Sequence, residues 1–355
     1  MVRLVPPYHM DILHISRPLP IAGLEDIPAP STDADAPRTL LIRCPVANAT
    51  PLVQAEAIAV EASVAEVWLK DERGRMGLGS FKALGAAYVI ARDAQDAKAA
   101  GTTYVTASAG NHGLSVAAGA AAFGARAVIY IANTVPDAFA ERLAEQGAEV
   151  RREGATYEDS MAAAEKAAAD QGWELLSDGS WPGYTDRPFH VMEGYLALMA
   201  EVIEEMPAPP SHIFLQAGVG GLAGACAALA RQHWGDAPRI VVVEPEAAPA
   251  LHGSIVAGCP VESSGPESAM GRLDCKMPSL IALKGLAADA DAFALISEAE
   301  AEAGAGLAMV AGMGSTPSGA AGISALIALD DAQRDALGLD ARATVLCILS
   351  EGPEG

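Results

Sequence analysis

One pattern recurs along the chain and limits its fold more than any other: a short β-branched run, a glycine-containing turn, then an alanine-rich stretch with helical spacing. This is the signature of βαβ units. Strands are predicted over 66–69, 103–106, 127–131, 213–216, 240–244 and 344–349, and helices after nearly all of them. The segments 161–170 and 221–232 combine strong helix formers with apolar residues at i, i+3 and i+4, as packing onto a sheet requires. The expected class is α/β, with a mostly parallel sheet covered by helices on both faces. At 355 residues the chain suits two lobes, or one large unit with an insertion. Proline-containing stretches at 25–37 and 204–210 read as surface connections, the second as a return from one lobe to the other.

Composition narrows the function. The formal charge of −22 argues against nucleic acid, whose sequence-independent binding needs Lys and Arg on phosphates. An anionic ligand must instead be held locally, by backbone N–H groups and a few placed cations. No apolar run approaches the roughly 20 residues that cross a bilayer, so no membrane span is expected. The first twenty residues place prolines and polar residues where an export signal needs a continuous apolar stretch. The five cysteines (Cys44, Cys226, Cys259, Cys275, Cys347) are widely spaced and form no C-x-x-C pair, which suggests neither a disulfide framework nor a metal site. A reducing cytoplasm is the expected location.

Four segments at strand ends carry the candidate chemistry. In the first, a glycine-rich loop leads through Ser80, read as a helix N-cap, to Lys82 in the first helical turn. A cation there gains nothing from the helix dipole and is deprotonated more easily once desolvated, and Schiff-base chemistry needs a neutral amine. A surface lysine beside a loop is the alternative. In the second, Ser108-Ala109-Gly110-Asn111-His112-Gly113 follows a strand and opens a helix, so that successive N–H groups form a carboxylate-binding nest. An ordinary tight turn is the alternative, and His112 reads as structural, since nothing nearby in sequence supplies an orienting carboxylate. In the third, Gly218-Val219-Gly220-Gly221-Leu222 aims several N–H groups at one point, a phosphate cradle without lysines. A dinucleotide fingerprint is its rival, although Glu244, the acid after the next strand, is followed at once by proline. In the fourth, Ser350 ends the last apolar strand, where carboxyl ends of parallel strands face a ligand crevice.

Taken in order, Ser80-Phe81-Lys82, Ser108 to Gly113, Gly218 to Leu222 and Ser350-Glu351-Gly352 resemble the fold-type-II pyridoxal-phosphate enzymes, the tryptophan synthase β-chain and threonine dehydratase group, over about residues 50–352. Within that group the pattern is most similar to the diaminopropionate ammonia-lyases. The cues are Gln216-Ala217-Gly218, Ser177-Asp178 with Trp181, Gly183 and Tyr184, Met192-x-Gly194-Tyr195, and Gly271 to Cys275. The resemblance implies a two-domain fold of mostly parallel twisted sheets flanked by helices, with pyridoxal 5′-phosphate in the interdomain cleft. It implies a large cofactor-binding domain from 1–82 and 189–355 and a smaller mobile one from 83–188, in a homodimer.

By the same resemblance, Lys82 carries the cofactor as a Schiff base and later removes the α-proton, and Asn111 bonds the ring hydroxyl. Gly218, Val219, Gly220, Gly221 and Leu222 hold the phosphate. Ser108, Ala109, Gly110, Asn111 and His112 hold the substrate carboxylate, and Ser350 meets the pyridine nitrogen. A hydroxyl there cannot stabilise a pyridinium as a carboxylate does, so loss of a β-substituent is favoured over transamination. The implied activity is a lyase that releases ammonia or water from a small L-amino acid and yields a 2-oxo acid and ammonia. A serine, threonine or 3-hydroxyaspartate type dehydratase and a β-replacement synthase are the alternatives. One departure stands out. The ammonia-lyases have an acid at the position of Ala109, used for the D-enantiomer, whereas the acid used for the L-substrate is retained as Asp178. A turn role for Asp178 remains the alternative. Arg187, Arg272 and Lys276 are the cations expected nearest the site, each with surface salt bridging as its other reading.

Overall fold

The structure, a computed structural model, describes residues 10–353. The first nine residues of the segment read against an export signal lie outside that range. Among the described residues the strands in chain order are β1 (Asp11–His14), β2 (Leu52–Gln54), β3 (Glu66–Asp71), β4 (Thr103–Ala107), β5 (Arg126–Ile131), β6 (Glu149–Arg152), β7 (Glu174–Leu175), β8 (His212–Gln216), β9 (Arg239–Pro245), β10 (Ala292–Ile296) and β11 (Thr344–Leu349). All six strands expected from the sequence are present. The five others are β1, β2, β6, β7 and β10, of which all but β10 lie at sheet edges. Edge strands are short and half exposed, so their apolar signal is weak: β6 reads Glu-Val-Arg-Arg.

The chain divides into two compact units. Among the described residues the larger comprises residues 10–30, Thr50–Arg73 and residues 199–353. Its seven strands are ordered β1-β10-β9-β8-β11-β3-β2, parallel except for the β1/β10 and β2/β3 pairs. The central strands are buried on both faces, and Val67, Leu69, Phe214, Val241, Val243 and Val345 share one core with helix residues such as Ile323 and Leu326. Each such side chain contributes roughly 1.5–3 kcal/mol by burial. Among the described residues no helix is long and apolar enough to cross a membrane.

The smaller unit comprises Ser31–Ala49 and Gly74–Leu198, wider than the 83–188 segment read from the sequence. It gains the helix Asp35–Leu41, which packs on the helix Lys82–Gln95. That short helix begins inside the proline-containing stretch 25–37, with Pro37 in its first turn, where a missing N–H costs nothing. Four parallel strands, ordered β6-β5-β4-β7, form this unit's sheet, and the helix Tyr157–Gln171 closes over it through Ala164. A reciprocal Thr156/Asp159 capping box fixes where that helix starts.

Candidate active site

In the smaller unit Lys82 is the first residue of the helix Lys82–Gln95, in the turn expected for it. Ser80 does not cap this helix. Phe81 occupies the N-cap position, and Ser80 is fully buried with its Oγ lacking a hydrogen-bond partner among the described residues. The loop draws Ser80 inward because Met76, Gly77 and Gly79 turn the chain through positive φ just before it.

The Lys82 ammonium forms an ion pair with Asp178 Oδ2 and lies 5.3 Å from the centre of the Phe81 ring. Asp178 sits on a loop stapled by Tyr184. The Tyr184 hydroxyl donates to Leu175 O at 2.9 Å and accepts from Ser177 N at 3.0 Å, and its ring stacks on Trp181. The Ser-Asp-Gly-Ser turn is therefore rigid. Burial opposes ionisation of Asp178, but the Lys82 ammonium, the largest of the opposing influences, holds the carboxyl well below the usual range.

His112 lies in the first turn of the helix Asn111–Ala122, and its Nε2 meets Leu176 O at 2.8 Å. A carbonyl only accepts, so Nε2 carries the proton. Nδ1 then offers a lone pair, buried and without a hydrogen-bond partner among the described residues. Desolvation lowers the His112 pKa, with Asp178 acting the other way and Lys82 adding to the decrease. The orienting group that sequence reasoning did not find is thus a backbone carbonyl two residues before Asp178. Before the helix, Gly110 N donates to Ser108 Oγ at 3.3 Å, which shapes the 108–112 nest. Gly113 is obligatory, since a Cβ there would fall 2.2 Å from Ser108 O.

Sequence reasoning assigned no role to Tyr195, cited only within the Gly194-Tyr195 cue. Its ring meets Phe81 edge-on at 4.9 Å, and its buried hydroxyl interacts with Lys82. Burial raises the Tyr195 pKa, with Lys82 pulling it down and Asp178 pushing it up. Lys82 is therefore ringed by a carboxylate, an aromatic face and a phenol.

In the larger unit Gly218 to Leu222 join β8 to the helix Gly221–Trp234. Gly220 has φ +96°, and a Cβ there would approach Leu251 Cδ1 to 2.9 Å. A Cβ on Gly218 would come within 2.9 Å of Cys275 Sγ and 3.1 Å of Arg272 O. No side chain fits at either position, so the N–H groups at this helix start remain open to an anion. Leu251 is itself held by Glu244, whose two carboxylate oxygens accept from Leu251 N at 2.8 Å and His252 N at 2.7 Å. Burial pushes Glu244 up to about 8, and the amides act against it. Glu244 serves a helix start, which removes it from the dinucleotide role.

Ser350 follows β11, the neighbour of β8. Helix 221–234 carries the chain from β8 to β9 on one side while β11 lies on the other, so the winding of the sheet reverses at this pair. In open parallel sheets the crevice beyond the carboxyl ends at such a reversal takes ligands. The sheet opens there: β8 pairs with β9 as far as Gln216 and β11 with β3 as far as Leu349, but β8 and β11 pair only to Phe214 and Cys347. Ser350 N donates to Gly319 O at 3.2 Å, and the Glu351 carboxylate accepts from Thr316 Oγ1. Within the larger unit, a side-chain-free cradle and a serine at adjacent strand ends suit the phosphate and ring of a phosphorylated pyridine.

The three cations singled out from the sequence are all engaged by carboxylates. Arg187 pairs with Asp93 at 2.8 Å and with Glu174 at 2.8 Å, Lys276 with Asp274 at 2.6 Å, and Arg272 approaches Glu351 at 3.7 Å.

Comparison with known proteins establishes the family and the fold. Residues 45–351 match the family described as pyridoxal-phosphate dependent enzymes. The diaminopropionate ammonia-lyase of Salmonella typhimurium is 31% identical over 344 residues, 85% of each chain. The biosynthetic L-threonine dehydratase of Escherichia coli is 30% identical over 225 residues, 62% of this chain and 41% of that one. Among solved structures, the Escherichia coli diaminopropionate ammonia-lyase with an aminoacrylate-cofactor azomethine intermediate superposes with a TM-score of 0.86 at 28% identity, covering 97% of this chain and 94% of that one.

Proposed function

Because the chain belongs to the pyridoxal-phosphate dependent enzyme family, we propose that it is an ammonia-lyase. It removes the β-substituent of a small L-amino acid such as L-2,3-diaminopropionate and releases a 2-oxo acid and ammonia. The observation that carries this reading is the ion pair between Lys82 and Asp178 on a stapled loop. In this reading Lys82, Asn111, Gly218 to Leu222 and Ser350 hold the cofactor. Ser108 to His112 take the substrate carboxylate. The cofactor, once bound, supplies an electron sink for the substrate α-carbon.

The protein's own part is proton handling. With Lys82 charged, Asp178 stays ionised. With Lys82 neutral, the influence that holds the carboxyl down is lost while burial still opposes ionisation, so its pKa rises, the direction needed for it to hold a proton and give it to a leaving amine or hydroxide. Protonating the leaving group is what lets the β-bond break without expelling an anion. Neutral His112, fixed by Leu176 O, adds no competing charge.

Ala109 stands where an acid would serve the D-enantiomer, which supports L-selectivity. A dehydratase reading has the threonine dehydratase match in its favour and differs only in the leaving group. We also propose a cytoplasmic homodimer; the five cysteines, all free, suit a reducing environment.

The test is to measure ammonia and 2-oxo acid from L- and D-2,3-diaminopropionate, L-serine, L-threonine and 3-hydroxyaspartate. The expected result is turnover of the L-diamino acid and little of the D-form, with Asp178→Asn lowering kcat by about 10²–10⁴-fold. Dominant turnover of a hydroxy amino acid would make the enzyme a dehydratase. Product formation only with an added thiol would make it a β-replacement synthase and sink the lyase reading.

A further inference from the structure

The opening between β8 and β11 is bridged by one side chain. Gln216 is the last residue of β8, two positions before the glycine cradle, and only 2% exposed. Its Nε2 donates to Ile348 O at 2.9 Å and to Gly319 O at 2.9 Å. Ile348 O lies on β11 just past the last residue that pairs with β8, so the amide takes over where the ladder stops. Gly319 O also accepts from Ser350 N. One amide therefore ties the strand that launches the cradle both to the carbonyl that holds Ser350 N and to the strand that carries Ser350.

Both Nε2 hydrogens are used, which sets the orientation of the group and leaves Oε1 buried without a partner. An orphaned buried acceptor costs roughly 1–3 kcal/mol, and such groups in folded proteins call for a reason. Leucine or methionine would fill similar space without that cost. They would not hold two carbonyls apart at a fixed spacing. Gly322 shows that the room around this amide is set: a Cβ there would fall 3.4 Å from Oε1 and 3.1 Å from Phe214 O.

We infer that Gln216 is a positioning residue for the cofactor's ring. It sets the distance between the glycine cradle and Ser350, so that phosphate and ring nitrogen are met together. It acts through Ser350 and Gly319 and touches no reacting atom. The inference rests on the reading of Ser350 given above.

The experiment follows the visible absorbance band of the holoenzyme across pH, together with the dissociation constant of pyridoxal phosphate from the apoenzyme, in Gln216→Leu, Ser350→Ala and the double variant. Gln216→Leu is expected to weaken cofactor binding roughly tenfold, about the worth of one to two hydrogen bonds. It is also expected to shift the pH profile of the band, with little further change when Ser350→Ala is added. If Ser350→Ala moves the band and Gln216→Leu does not, or if the two effects simply add, Gln216 is no positioning residue. If Ser350→Ala moves nothing, the role given to Ser350 falls, and the inference with it. Should Gln216→Leu fail to fold, the isosteric Gln216→Glu decides. Once ionised, its carboxylate can donate to neither carbonyl, so its defect must grow as pH rises, and a defect that stays flat with pH would overturn the proposal.

Discussion

Around Lys82 the chemistry is built from side chains, whereas at the ends of β8 and β11 it is built from backbone. The lysine cluster gathers Phe81 and Lys82 from one helix start and His112, Asp178 and Tyr195 from three other segments, and its charges govern one another. The cradle needs no charged side chain, only glycines where a Cβ would collide and an amide that spans an open ladder. The difference follows from the tasks the proposed function sets. In that reading a proton moves at the first site, so its groups must titrate. An anion is to be held in a strongly acidic protein at the second, and oriented N–H groups would do that with no dependence on protonation.

The strongest challenge to this contrast is Lys82→Ala. It should abolish the visible band and lower kcat by about 10³-fold or more, since covalent attachment and proton transfer are lost together. It should also let the Asp178 carboxyl rise, because the ammonium that holds it down is gone. A variant that kept full activity would break the assignment of the entire cluster.

A smaller effect is expected at the cradle. Gly220→Ala must place a Cβ at φ +96° and against Leu251, a strain of about 1–3 kcal/mol. Cofactor affinity measured by equilibrium titration should fall roughly tenfold or more, with the pH dependence of the band unchanged. A shifted pH profile would show that the cradle is not the protonation-independent half.

The smallest effect concerns Glu244, the titratable support behind the cradle. Its pKa is raised on folding, so its contribution to stability is complete below the ordinary glutamate range and is lost as pH rises through about 8. Tm of the parent protein should therefore fall between pH 6 and 9 by more than Tm of Glu244→Gln, which cannot ionise. Equal slopes would remove Glu244 as the source.

Much of the parallel sheet could be read from residues alone, because the buried central strands β8, β9 and β11 carry the apolar runs Ile-Phe-Leu, Ile-Val-Val-Val and Val-Leu-Cys-Ile-Leu. The edge strands were hidden by their short length and polarity, and β10, Ala-Phe-Ala-Leu-Ile, is an apolar run too short to separate strand from helix by periodicity. Lys82, the 108–112 nest and the 218–222 cradle were legible because each is a local motif at a strand end.

Their partners were not. Asp178 is 96 residues from Lys82, and the carbonyls held by Gln216 are 103 and 132 residues away from it. Local order in the chain therefore settled the class of fold, the glycine turns and the lysine at a helix start, since these depend on backbone sterics and apolar spacing within a few residues. The ionised state of Asp178, the tautomer of His112, the exclusion of Ser80 from the cap and the bridging of the open ladder by Gln216 were decided by tertiary structure. Each depends on which distant dipole or charge folding brings within about 3 Å of a buried polar group, where electrostatic interactions are strongest and water is no longer there to compete.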